Sequence, residues 1–121
     1  MSGRVRATLP AIDDANLGGI LHGLRESIET ARLAGNVGAA NFYDTLAALV
    51  DNERAQREGK SIPIDDALLL ARARALHNGE LLALAEHTSF KTPPGVPASC
   101  VAFLRAVGDF LTDECRHRVG L

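Results

Sequence analysis

Residues 13–36 are DDANLGGILHGLRESIETARLAGN, and this stretch decides the fold class. Its apolar side chains recur at alternating four- and three-residue spacing, at Leu17, Leu21, Leu24, Ile28 and Ala31. This spacing places all of them on one side of a helix, because a helical turn takes about 3.6 residues. Asp13 or Asp14 at its start and Gly35-Asn36 at its end are typical helix boundaries. The stretch therefore predicts an amphipathic helix that buries one stripe.

Three further segments show the same helical periodicity, over residues 37–58, 65–88 and 98–118. In the second of these three, Asn78-Gly79 interrupts the pattern and the apolar phase shifts, which favours a break. A proline-rich linker over residues 89–97 precedes the last segment. Almost nothing alternates like a strand. The sequence therefore predicts an all-α protein, a compact antiparallel four-helix bundle, or five helices if the third segment breaks at Asn78-Gly79.

The chain has 121 residues, which is room for one domain and one core. We expect a single helical domain over residues 13–121, preceded by a flexible N-terminal arm over residues 1–12. No segment is apolar enough for a signal peptide or a membrane span. Cys100 and Cys115 lie in one predicted helix, too far apart to form a disulfide with each other. A reducing cytoplasm is therefore the expected location.

The sequence predicts no internal repeat. The segments at residues 29–32 and 53–56 are alike, but they are short.

Two ion pairs are expected from helical spacing. Glu53 and Arg57 have the spacing of an outward-facing ion pair. Glu114 and Arg118 have the same spacing in the last helix, where the charged side chains are expected to face solvent.

Metal binding is an alternative function that depends on a few acidic and histidine residues. Glu114-x-x-His117 has the spacing with which ferritin-like bundles hold iron. Such a site needs a second Glu-x-x-His pair, and His77-x-x-Glu80 has the reversed order. No set of residues resembles a catalytic centre. We therefore expect no cofactor and no metal, and the weak candidates for a metal- or ligand-binding bundle are His77, His87, Glu114 and His117.

The charge balance argues against nucleic acid as the main partner. Thirteen basic and 15 acidic residues give a formal net charge of −2, which provides no general attraction to phosphates. A helix-turn-helix reader is excluded, because residues 81–86 include no arginine, lysine, asparagine or glutamine to contact bases. An oligomeric DNA-associated regulator remains a second alternative, through arginines that occur in pairs, Arg72, Arg74, Arg116 and Arg118.

The glycines of the first helix indicate a place where another helix comes close. Gly19-x-x-x-Gly23 resembles the small-xxx-small seam that brings two helix backbones into contact. The seam either packs against the last helix of the same chain or, with Ile20 and Leu33, forms an interface. The leading hypothesis is a non-enzymatic protein–protein interaction module, a self-associating small adaptor or inhibitor of a larger bacterial or phage-related protein. Its expected partners are a second copy of itself and another protein.

Overall fold

The computed structural model describes residues 2–60, 66–90 and 97–118, and these ranges include helices and no strand. The elements are α1 (Ser2–Ala7), a 3₁₀ helix (Leu9–Ala11), α2 (Asp14–Leu33), α3 (Val37–Arg57), α4 (Asp66–Arg74), α5 (Asn78–Phe90) and α6 (Ala98–Arg118). The all-helical class is confirmed. A four-helix bundle is not confirmed, because the described residues form six α-helices.

The hairpin of α2 and α3 begins and ends where local sequence signals predict. The carboxylate of Asp13 accepts a hydrogen bond from the backbone N–H of Asn16 at 3.1 Å, which satisfies a free donor at the start of α2. Gly35 has a φ of 78° and turns the chain into α3, a conformation that glycine adopts without steric cost. Gly59, with a φ of 77°, ends α3 in the same way. Because the turn is short, α2 and α3 pack as antiparallel neighbours.

The third predicted segment consists of two helices. Helix α4 ends at Arg74 and α5 begins at Asn78, so the predicted break near Asn78-Gly79 is confirmed. Leu76 precedes the break and Leu81 follows it, and both side chains are buried. The change of chain direction lets two apolar stripes that are out of phase in the sequence reach one core.

The N-terminal segment, residues 1–12, is expected to be a flexible arm. Residues 2–11 are mostly helical, and Val5 is fully buried together with Leu9 and Ile12. The guanidinium of Arg57 donates hydrogen bonds to the backbone carbonyls of Leu9, at 3.1 Å, and Ile12. Pro10 is compatible with this helical segment, because it lies in the first turn of the 3₁₀ helix. The backbone N–H that proline lacks has no partner within the helix at that position. The described residues 2–11 are thus mostly helical and partly packed in the core, while the flexibility of residues 1–12 stays a prediction.

The two halves of the molecule exchange their short helices. In the first half, residues 2–57, α2 packs on α3; in the second half, residues 66–118, α5 packs on α6. Helix α1 contacts α6 of the second half, and α4 contacts α3 of the first. The short helix of each half is thus packed on the long helix of the other.

This reciprocal packing reflects an internal repeat that the sequence analysis did not detect. Buried positions early in each half correspond at a constant separation of 64 residues, namely Val5 with Leu69, Leu9 with Ala73, Ile12 with Leu76 and Leu17 with Leu81. Helices α3 and α6 correspond at a separation of 61 residues, namely Phe42 with Phe103, Leu46 with Val107, Val50 with Leu111, Glu53 with Glu114 and Arg57 with Arg118. The expectation of no internal repeat is therefore wrong.

Hydrogen bonds made by two arginines repeat together with the core. Arg57 donates to the carbonyl of Leu9 and to the carboxylate of Asp14, the latter at 2.8 Å. Arg118 donates to the carbonyl of Ala73 at 3.0 Å and to the side-chain oxygen of Asn78 at 3.1 Å. The acceptors of the two arginines are again 64 positions apart. Each arginine therefore joins the end of a long helix to the junction that follows a short one.

Candidate functional site

A groove runs between α2, α3 and the start of α5, with a volume of about 460 Å³. We call it the hairpin groove. Helix α2 forms one wall, α3 the floor and α5 the other wall. Its lining residues are Gly23, Glu26, Ser27, Thr30, Ala31, Ala34, Asn36, Ala39, Tyr43, Glu80, Ala83 and Leu84.

Apart from Glu26, the wall formed by α2 is made of small side chains. Helical spacing places them along one side of the helix, which we call the α2 flank: Gly19, Gly23, Ser27, Thr30 and Ala34. A Cβ built on Gly19 or Gly23 meets no described atom within 4 Å, and the same holds for Gly18. Among the described residues no other helix therefore approaches these glycines closely, and α6, the last helix, does not pack on the seam.

The internal repeat gives a second reason why these glycines are not needed for the fold. The positions of α5 that correspond to Gly18 and Gly19 carry Leu82 and Ala83. Both halves nevertheless form the same helix against the same kind of partner. Three glycines within one helix cost about 1 kcal/mol each relative to alanine. Neither packing within the described residues nor the repeat at Gly18 and Gly19 requires glycine, so α2 presents open backbone at these positions.

The other two predicted interface residues lie in different settings. Ile20 is half-buried and packs against the core, so only part of its side chain is available for contact. Leu33, at the end of α2, is 81% exposed, and Val37, at the start of α3, is 65% exposed. Val37 was missed in the sequence, because its position next to a turn resembles an ordinary helix start. Together Leu33 and Val37 form an apolar tip on the hairpin.

The groove carries acidic side chains on both long walls. Glu26 of α2 lies 3.0 Å from the imidazole of His22, one turn earlier. Glu80 of α5 lies 3.1 Å from the imidazole of His77. Tyr43 lies on the floor, and burial raises the pKa of its phenol. The groove lining within the described residues contains two carboxylates and no lysine or arginine.

His77 has a structural role that explains its position in the sequence. Its ring nitrogen Nδ1 accepts a hydrogen bond from the backbone N–H of Glu80 at 3.3 Å, at the start of α5. Asp13 makes the equivalent bond to Asn16 at the start of α2, and His77 is the corresponding residue 64 positions later. His77 is therefore a helix cap, a role that histidine can fill through a ring nitrogen as an acceptor.

The four metal candidates do not form one site. Glu114 and His117 line one groove with Arg74, whereas His77 lies at the start of α5. His87 belongs to α5, and its side chain lies outside the described residues. The described residues contain no cluster of three or more His, Cys, Asp or Glu side chains that could hold a metal ion.

The position of Glu114 among charged residues predicts that it faces solvent, but the structure shows that its side chain is buried. Its side chain is only 5% exposed and lies 3.6 Å from the guanidinium of Arg74. The corresponding Glu53 is also mostly buried, at 3.0 Å from Arg57, so the predicted ion pair is present but is not outward-facing. Both carboxylates lie where a short helix crosses a long one. The contact of Glu114 on α6 with Arg74 on α4 is a tertiary contact, which helical spacing within α6 cannot show.

The arginines proposed for DNA contact are partly used within the fold. Arg74 pairs with Glu114, and Arg118 bonds the carbonyls at the end of α4. Arg72 and Arg116 are exposed on different helices. This arrangement gives the described surface no continuous basic stripe of the kind that follows a phosphate backbone.

No protein-family model, curated protein or solved structure matches this chain. In the part of the chain that the structure describes, no helix has both the length and the apolar character that crossing a membrane requires.

Proposed function

We propose that this protein is a non-enzymatic protein–protein interaction module, whose hairpin groove takes an α-helix from another protein chain. The observation that carries this proposal is the open space at Gly19 and Gly23 beside the groove. Helix backbones approach closely where side chains are small, and amphipathic helices bind in grooves between helices. The apolar tip at Leu33 and Val37 extends the contact surface.

Two kinds of partner follow from this surface, a second copy of the chain and a larger protein. The corresponding cellular role is that of a self-associating small adaptor or inhibitor of a bacterial or phage-related protein, acting in the cytoplasm. This role requires no chemistry at the groove, since binding alone changes what the larger protein can do.

Light scattering of the purified protein tests self-association. The wild type is expected to exceed the mass of one 12.8 kDa chain, and Gly23→Leu is expected to return it to that mass. Leucine at this position adds a large side chain to the groove wall, and its Cβ has no described atom within 4 Å. Glu29→Leu is the matched control, since it adds the same side chain to α2 at an exposed position outside the groove lining.

A wild-type mass of one chain that is unchanged in Gly23→Leu would contradict self-association. A mass above one chain that both leucine variants leave unchanged would place the interface elsewhere. Circular dichroism of each variant confirms that the helices are retained.

A further inference from the structure

We infer, resting on the proposed function, that the helix taken by the hairpin groove is a basic amphipathic helix of a different protein. The two long walls each carry a carboxylate, Glu26 on α2 and Glu80 on α5. No lysine or arginine lines the groove within the described residues. A helix with apolar side chains toward the floor and lysine or arginine toward the exposed Glu26 of the α2 wall complements this arrangement; the Glu80 side chain is only 15% exposed and adds to the negative potential of the groove.

The carboxylates are positioned by their own helices before any partner binds. Each is within hydrogen-bond distance of a histidine three or four residues earlier on the same helix, His22 for Glu26 and His77 for Glu80. The Glu26 side chain remains 70% exposed, so it is open to a cation from outside. The nearest arginine before it on α2, Arg25, lies 3.9 Å from Asp51 of α3 and does not line the groove.

The floor supplies the apolar part of the recognition. Tyr43 is half-buried against the core, and Leu84 and Ala39 lie beside it in the lining. Small side chains on the α2 wall leave room for leucine or alanine of the incoming helix.

Charge distinguishes this partner from a second copy of the chain. A copy that presents its own α2 flank brings its own Glu26 toward the carboxylates of the groove. Like charges at such a contact weaken the complex, whereas lysine or arginine strengthens it. Charge therefore makes a basic helix from another protein the tighter of the two partners at the groove.

The test uses two synthetic helical peptides of about 18 residues, or five turns. The first has leucine and alanine on one side and lysine on the other; the second replaces every lysine with glutamate. Both lack aromatic residues. The full-length protein has one tyrosine, Tyr43, and no tryptophan, so its intrinsic fluorescence reports the groove floor alone.

The lysine peptide is expected to change the Tyr43 fluorescence saturably and to bind about tenfold more tightly than the glutamate peptide at low salt. This preference should shrink at about 1 M salt, where the screening length falls to about 3 Å. Glu26→Gln should weaken the lysine peptide about threefold, as expected for an exposed ion pair. Glu29→Gln, the matched charge control one turn away, should leave binding unchanged, and Gly23→Leu should abolish it.

Other outcomes overturn the inference in distinguishable ways. Equal binding of the two peptides refutes the basic preference and leaves the groove as a helix-binding site. If Glu26→Gln and Glu29→Gln reduce the fluorescence response to the lysine peptide equally, the preference comes from the overall charge of the protein. The assignment of the cation contact to Glu26 on the α2 wall is then refuted. No response to either peptide refutes the inference; if the wild type also scatters light as a single chain, the proposed function fails as well.

Discussion

Replacing the glycines of α2 with alanine is expected to stabilise the protein. Glycine inside a helix costs about 0.8–1 kcal/mol relative to alanine, because the free chain has more conformations to lose. At Gly18, Gly19 and Gly23 nothing lies within 4 Å of the new Cβ, so no clash offsets this gain. Each single substitution should therefore raise the free energy of unfolding by about 0.8 kcal/mol, and the triple variant by about 2–3 kcal/mol.

The assay is urea unfolding followed by far-ultraviolet circular dichroism, at several protein concentrations. The midpoint should rise without a change of slope, since the substitution does not alter the surface that unfolding exposes. In a thermal scan each substitution should add about 4 °C. Two glycines serve as controls. Gly35→Ala should lower the free energy of unfolding, because a φ of 78° is strained for alanine. Gly38→Ala should lack the gain expected in α2, because its Cβ would lie 3.0 Å from the Leu76 side chain.

A single result would refute the reasoning. If Gly19→Ala and Gly23→Ala are neutral or destabilising at every protein concentration, the space around these glycines is not open in solution. If they stabilise the dilute protein and weaken its complexes, the glycines are retained for contact with a partner at the expense of stability. One variant then has a higher free energy of unfolding and a lower affinity for its partner, a combination that a purely structural role of the glycines does not produce.

Three further predictions concern the caps, the tyrosine and the arginines. His77→Asp should preserve stability or raise it, whereas His77→Ala should lower the free energy of unfolding by about 1 kcal/mol in urea, because α5 loses the acceptor for the backbone N–H of Glu80; equal effects of the two variants would exclude the cap. Burial raises the pKa of Tyr43, so the folded protein holds the phenol proton to higher pH than the unfolded chain; stability should therefore fall as the pH rises above about 10. Absorbance of the tyrosinate measures this directly, and a transition at the pH of free tyrosine would contradict it. Arg57→Lys and Arg118→Lys should each lower the free energy of unfolding by about 1–2 kcal/mol, because lysine cannot reach several acceptors at fixed angles; a loss in only one variant would show that the two junctions are not equivalent.

The sequence predicts the long helices well and the short ones poorly. Helices α2, α3 and α6 have long apolar stripes and clear glycine or aspartate boundaries, and their predicted ends agree with the structure to within a residue or two. Helix α1 has only six residues and Pro10 follows it, so its sequence is too short to show a helical period and resembles that of a loop. Its stability comes from burial of Val5 between other helices, which local sequence does not encode.

The repeat and the buried glutamates were missed for one common reason. The two halves retain matched core positions and the Glu-x-x-x-Arg pattern, while most surface residues differ. Few identities therefore align, and spacing within one helix does not show that Glu114 meets Arg74 of another. For the candidate site, the sequence singled out Gly19 and Gly23 as a possible contact surface, whereas Glu26, Glu80 and Tyr43 come together only through packing of α2, α3 and α5.

The exchange of short helices between the halves has a consequence for synthesis of the protein on the ribosome. Helix α1 is made before its partner α6, and most of the described residues lie between them. Val5 therefore has no complete binding surface until α6 has emerged. The α2–α3 hairpin, by contrast, joins neighbours in sequence and can form early. The contact between α1 and α6 therefore forms late, so a substitution in α1 affects this packing only after α6 has been made.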